Sequence, residues 1–265
     1  MREKKVLVIS DLHSGHLVGL TPPHWQLKSA YTQGKRNKWV RIQAALWREY
    51  LNIIHHVGRV DVLVINGDCI DGRGKTDAGG VECITTSRDE QVEMAVECIS
   101  KINADKIIMT YGTTFHTAAS GEDWELQIAD IVRAEKIGAH EWFSIFKCIF
   151  DVKHFIPMSG VPNTMATAAL RDVVWNRLWA LRQEQPLADV IIRSHVHIFV
   201  SVQTADYTVM TTPALQGLGS RFGGRICSRV VDWGMVLFRV RGKQDYSVDP
   251  FIVKIPEQKA KVMPL

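Results

Sequence analysis

Cysteine is scarce and unpatterned in this sequence. Its five cysteines, Cys69, Cys83, Cys98, Cys148 and Cys227, are odd in number and form no Cys-x-x-Cys. That argues against a disulfide framework and leads us to expect a reducing, cytoplasmic setting. Long apolar runs are missing as well: none approaches the ~20 residues of a membrane span, so no membrane partner is expected. The charged residues 1–5 are followed only by Val6-Leu7-Val8-Ile9 before Ser10-Asp11, a run too short for the core of a signal peptide. Nor does one sign of charge dominate. Lys and Arg total 32 against 28 Asp and Glu, a formal +4, too small by itself to argue for nucleic acid. No internal repeat, low-complexity segment or linker divides the chain, and one domain over 1–265 is expected.

With 46% apolar residues, the chain can build a substantial core. Residues 5–10, 61–66, 106–111 and 189–194 read as short buried strands, each running into a cluster of Asp, His or Gly. Trp39, Ile42, Leu46, Tyr50, Ile53 and Val57 recur at helical spacing, with Gly58 at the stop. Residues 92–99 and 124–132 also read as helices, and Leu170, Val174, Leu178 and Leu181 form a further stripe closed by Pro186. This alternation predicts an α/β fold with a largely parallel sheet. Residues 141–156 read as two β segments with a hairpin around Phe150-Asp151. The β-rich stretches 199–203, 207–211, 230–240 and 246–255 suggest a second, antiparallel sheet.

In open α/β sheets ligands sit at the carboxyl ends of the strands, and there this chain gathers its Asp and His residues. Asp11-Leu12-His13 follows the first strand, and Gly67-Asp68-Cys69-Ile70-Asp71 the second. Gly112-Thr113-Thr114-Phe115-His116 follows the third. His154 ends a later β segment, and Ser194-His195-Val196-His197 follows the last of the four. In extended backbone, residues two apart share a side, so Asp11 and His13 can grip one ion together. His195 and His197 can do the same, or serve two neighbouring ions. Carboxylate and imidazole ligands suit Mn, Fe or Zn better than Mg or Ca. Asp68, with two oxygens in a glycine-preceded turn, is the natural bridge. Any one of these residues alone is an ordinary cap, turn or surface residue; the whole set at successive strand exits is not.

Together, Asp11-Leu12-His13, Gly67-Asp68-x-x-Asp71, His154 and His195-Val196-His197 resemble the calcineurin-like metallophosphoesterases, from Val6 to about Phe199. The resemblance implies a two-sheet α/β sandwich, with mixed sheets flanked by helices and a dinuclear centre at one edge. It implies that Asp11, His13 and His197 hold one metal, that Asp68 bridges, and that His154 and His195 hold the second. Asp71 would orient a ligand or catalytic group. Manganese is the first expectation, with iron, zinc or nickel as alternatives. The third motif departs from the family's Gly-Asn-His-Asp or Gly-Asn-His-Glu. Thr113 stands in place of the asparagine, and His116 comes two positions late, an arrangement similar to a divergent branch of the family. His116 is then either a displaced general acid or phosphate contact, or a replacement ligand. Ser194 stands where the family usually has glycine.

The implied activity is hydrolysis of phosphate esters by metal-activated hydroxide, with a small or nucleotide-type phosphodiester as the expected substrate. The alternatives are a DNA or RNA nuclease of the same fold and, from another class, a non-catalytic metal-binding scaffold. Arg73, Thr113, Arg221 and Arg225 are candidate substrate contacts. Between Gly15 and Arg41, Lys28, Lys35, Arg36 and Lys38 alternate with Trp25, Tyr31 and Trp39. That pattern can bind a nucleotide or a nucleic-acid strand, or be a solvated loop leading into a helix whose Trp39 faces the core. Glu122 and Asp123 read as helix-start residues. Trp233, Phe238 and Phe251 fit either the core or a dimer surface, and the oligomeric state is left open.

Overall fold

Alternation along the first strand sorts the molecule into layers. Leu7 and Ile9 are buried on one side, and Val6 and Val8 on the other, as a period of two requires. The computed structural model describes residues 3–26, 38–72, 82–114, 116, 123–157, 161–218, 229–259 and 262–264. In chain order its elements are β1 (Lys4–Ile9), α1 (Lys38–Val57), β2 (Val60–Asn66), α2 (Arg88–Ile99), β3 (Ala104–Thr110), α3 (Trp124–Val132), β4 (Lys136–Gly138), β5 (Glu141–Ile145), β6 (Cys148–Val152), α4 (Thr167–Leu181), β7 (Val190–Arg193), β8 (Val200–Gln203), β9 (Thr208–Thr211), β10 (Trp233–Val240) and β11 (Tyr246–Val253).

Two mixed sheets result, ordered β11-β10-β1-β2-β3-β4 and β5-β6-β7-β9-β8. In the first, β1 to β4 are parallel while β10 and β11 close the far side antiparallel. In the second, β6, β7 and β9 are parallel between antiparallel edges β5 and β8. Val6, Val8, Val62 and Val64 face Phe150, Val152, Val190 and Ile192 between the sheets. On the opposite face of the first sheet, Leu7, Leu63, Ile65 and Met109 pack with Ile42, Leu46 and Tyr50 of α1, Val92 and Ala95 of α2, and Ile128 of α3. Helix α4 covers the outer face of the second sheet, packing Ala169 and Val173 with Ile191 and Val209. The layers are therefore helices, sheet, sheet and helix.

Three expectations are corrected. Strands β10 and β11 join the first sheet, because Val236 and Phe238 pair with β1 and share its apolar core. They do not build an antiparallel second sheet. The hairpin turns at Phe146 and Lys147, both at positive φ, as a tight two-residue hairpin demands. Phe150 is fully buried inside β6. The stripe Leu170, Val174, Leu178 and Leu181 does lie on a helix, but it faces outward. Trp233 and Phe238 belong to the core, and Phe251 packs partly against it. Gly58 stops α1 as expected, at φ +67 with its N–H donating to Ile54 O. Among the described residues no helix is long and apolar enough to cross a membrane.

Candidate metal centre

Every predicted ligand leaves the carboxyl end of a strand, and both sheets open these ends at one edge. The first sheet delivers Asp11 after β1 and Asp68 after β2; the second delivers His154 after β6 and His195 after β7. The backbone that aims them is not extended, which corrects the period-two reading of Asp11 and His13. Asp11, His13, Asp68, His195 and His197 all stand at positive φ, five of the nine such non-glycine residues described. Left-handed backbone at non-glycine residues is uncommon and clusters at functional sites. Cross-loop hydrogen bonds hold it, Asp11 N to Gly67 O at 3.1 Å and His13 N to Asp68 O at 3.0 Å.

Three trios of potential ligand atoms interlock here, each within 4.8 Å: Asp11, His13 and His197; His13, Asp68 and His116; Asp68, His154 and His195. In the first, His197 Nε2 lies 3.1 Å from Asp11 Oδ1 and 3.3 Å from His13 Nε2. In the third, His154 Nε2 lies 2.9 Å from Asp68 Oδ2, and His195 Nδ1 3.9 Å from the same oxygen. Asp68 and His13 each belong to two trios, so the centre is continuous.

The imidazoles are oriented from behind. His13 Nδ1 donates to Asp71 Oδ1 at 3.2 Å, and His154 Nδ1 donates to Asn66 O at 2.7 Å. His116 Nδ1 donates to the Asp71 carbonyl at 2.5 Å, which turns Nε2 to within 3.6 Å of Asp68 Oδ2. Such bonds fix the tautomer and leave the other nitrogen as a ligand. Asp71 thus acts through His13 and His116. Thr113 steadies Asp68: its N–H donates to Oδ1 at 2.7 Å and its hydroxyl lies 3.2 Å from the same atom. Space explains the glycines. A Cβ on Gly112 would fall 2.1 Å from Asp68 Oδ1, and one on Gly67 2.6 Å from His154 Cγ.

Electrostatics fit a cation. Burial works against ionised Asp11, yet His197 and His154 hold its pKa down to about 2. Asp68 is likewise well below the carboxylate range, burial being outweighed by His154. Burial lowers His13 to about 4, so its imidazole is neutral at pH 7. Burial also opposes charge on His154, but Asp68 and Asp11 draw it up to about 10. The field that holds a proton there would equally attract a metal ion. Asp11 Oδ1 and His154 Nε2 are buried, and their close contacts with His197 at 3.1 Å and Asp68 at 2.9 Å lack hydrogen-bond geometry. Buried polar atoms are normally satisfied, and carboxylate oxygen with imidazole nitrogen is a donor set for Mn, Fe or Zn. The residues therefore fit divalent ions.

Two supporting features carried no sequence signal. Glu125, in the first turn of α3, is buried and accepts N–H bonds from Cys69 at 3.0 Å and Gly112 at 2.5 Å. Beneath the centre runs a buried chain: Ser10 Oγ to Thr212 Oγ1 at 2.8 Å, Thr212 to Ser194 Oγ at 2.7 Å, Asn66 Nδ2 to Ser194 Oγ at 2.6 Å, and Thr110 Oγ1 to Asn66 Oδ1 at 2.6 Å. Ser194 thus uses its hydroxyl to join the two sheets. Arg73, Arg221 and Arg225 lie outside the described residues, as do Lys28, Tyr31, Lys35, Arg36 and Glu122. Trp25 and Trp39 are buried and offer no stacking face. Asp123 occupies the N-cap position of α3 without a side-chain cap bond.

No family model matches the chain, and no curated protein matches it in sequence. Solved structures similar to it include a novel archaeal phosphodiesterase, at 16% identity over 93% of this chain and 99% of that one, with a TM-score of 0.44. Vps29 from Entamoeba histolytica, solved with zinc, is 11% identical over 94% and 98%, with a TM-score of 0.45. A predicted phosphoesterase from Streptococcus pneumoniae is 12% identical over 95% and 91%, with a TM-score of 0.39. These likenesses are distant, and the chemistry rests on the residues of the centre alone.

Proposed function

We propose that this chain is a metallophosphoesterase of the calcineurin-like type, a phosphodiesterase acting on a small or nucleotide-type substrate. Asp11, His13 and His197 would hold one divalent ion and His154 and His195 a second, with Asp68 shared between them. The observation that carries the proposal is the interlocking of three ligand trios through Asp68 and His13. Two such ions, when bound, make water a nucleophile near neutral pH and offset the charge of a phosphoryl group. Manganese is the first choice for these ions.

The protein's own groups supply the rest. Asp71 keeps His13 and His116 in the tautomers that face the centre, and Thr113 keeps the Asp68 carboxylate from rotating. His116 has its Nδ1 proton committed to a carbonyl, so Nε2 is the atom turned to the centre. Its place in one trio with His13 and Asp68 supports His116 as the ligand replacing the family's asparagine. Phe155, 49% exposed, sets its ring 4.9 Å from that of His195. It gives a base or aryl group a face to stack on beside the centre, which supports a substrate carrying an aromatic ring.

The test is hydrolysis of bis(p-nitrophenyl) phosphate by metal-stripped protein with manganese added back, wild type beside Asp68→Asn. Manganese-dependent turnover by the wild type alone is expected. Turnover surviving in Asp68→Asn would defeat the ligand assignment. Tight metal binding without turnover by the wild type would favour the scaffold reading.

A further inference from the structure

Helix α4 packs over β7 and β9 through Ala169 and Val173, and between it and β6 lies a cleft of about 290 Å³. Asp151, Lys153 and Arg193, at the ends of β6 and β7, supply one side of it, and Trp175 and Trp179 of α4 the other. None of the metal ligands lines it. We propose that this cleft is a second ligand site, separate from the metal centre, for a small anion carrying a flat ring. The anionic group would sit between Lys153 and Arg193 Nη2, with the ring on Trp175.

Two carboxylates and two cations line the cleft, but they are not equally available. Asp151 accepts from Arg193 Nη1 at 2.6 Å, His140 Nε2 at 2.8 Å and Asn176 Nδ2 at 3.3 Å. Asp172 holds Arg193 Nε at 2.6 Å. Lys153, half-buried, makes no ion pair among the described residues, and Arg193 Nη2 makes no hydrogen bond among them. The groups left over are therefore cationic donors, and both side chains suit an anionic oxygen. Holding a half-buried ammonium without a partner costs free energy that an anion would recover. Trp175 is 54% exposed, and no ring or cation covers it among the described residues, whereas Arg182 lies over Trp179. A bare indole face takes a flat ring. It could also take a cation, but Lys153 and Arg193 oppose one. The volume sits just below the ~300–1,000 Å³ of drug-sized pockets, room for one ring and one anionic group. A purely structural ion cluster would account for Asp151, Asp172 and two nitrogens of Arg193, but it leaves Lys153 and Trp175 without a task.

Calorimetric titration of the metal-stripped full chain with adenosine 5′-monophosphate, adenosine and inorganic phosphate tests this. The nucleotide should bind, and adenosine or phosphate alone should bind at least ~10-fold more weakly. Lys153→Gln should weaken the nucleotide roughly 10-fold or more. Trp175→Ala should weaken it roughly 5- to 150-fold, the worth of one stacked base. Unfolding midpoints measured beside the titrations show that each variant is folded. Phe155→Ala, next to the metal centre, should leave the nucleotide's affinity as it is. No binding of the nucleotide at millimolar concentration would overturn the site. So would binding that Phe155→Ala abolishes while Lys153→Gln and Trp175→Ala spare it, since the nucleotide would then lie at the metal centre. Phosphate bound as tightly as the nucleotide would overturn the place given to the ring.

Discussion

His116 stands in the trio with His13 and Asp68 although no asparagine-histidine motif marks its place. Its two possible roles predict different losses. If its Nε2 is a ligand, His116→Ala should lower bound manganese from two ions per chain toward one. Turnover should then fall by at least ~100-fold whatever the leaving group. If it is a general acid, worth roughly 10²–10⁴-fold, both ions should stay. The loss should then concentrate on alkyl leaving groups, since p-nitrophenolate needs no proton. We expect the first pattern, because the ring offers a ligand atom within 4.8 Å of those of both His13 and Asp68. Elemental analysis beside turnover with aryl and alkyl esters separates the two. Asp11, Asp68 and His195 were legible because each follows a β-branched run, His13 and His197 because they stand two residues beyond Asp11 and His195, and His154 because it ends a β segment. The left-handed backbone of all but His154 was not. It depends on bonds such as His13 N to Asp68 O, which join loops far apart in the chain and leave no periodic trace.

Elements were legible where one face is buried and the pattern is local, as in β1, β2 and α1. Pairing was not, since the choice of β1 as the neighbour of β10 is made over the whole length of the chain. The same distance hid Glu125. In sequence it is one more acidic residue at a helix start, yet its carboxylate staples the loops after β2 and β3. Burial, with Asp68 nearby, raises its pKa to about 7. Glu125→Ala would leave two N–H groups without acceptors, at about 1–3 kcal/mol apiece. We expect urea unfolding of the metal-stripped variant to show a loss of roughly 2 kcal/mol or more, with weaker manganese binding by calorimetry. Glu125→Gln, which keeps one acceptor oxygen, should fall between. If Glu125→Ala unfolds within about 0.5 kcal/mol of wild type, an ordinary surface effect, the stapling role is lost.

At the scale of the molecule, neither sheet holds the centre alone, so whatever fixes the second sheet and its helix also bears on the first. One buried ion cluster does much of that fixing. Arg193 of β7, 3% exposed, donates to Asp151 of β6 and Asp172 of α4, both at 2.6 Å. His140 meets the same Asp151 carboxylate at 2.8 Å, and Asn176 of α4 donates to its other oxygen at 3.3 Å. Burial alone would raise the pKa of Asp151, but His140 and Arg193 overcome it and hold the carboxyl below its ordinary value. A carboxyl depressed in the folded state binds its proton more readily when unfolded. Its stabilisation is therefore complete above the unfolded value, about 3.9, and is lost as pH falls through the folded one. Asp151→Asn makes that loss permanent and leaves Asp172 as the carboxylate partner of Arg193, a change worth about 1–3 kcal/mol. Urea unfolding of the two proteins should differ by that amount at pH 7, and the gap should close as the pH is lowered below about 4. A gap that stays constant with pH would mean that Asp151 acts through packing and hydrogen-bond shape rather than charge.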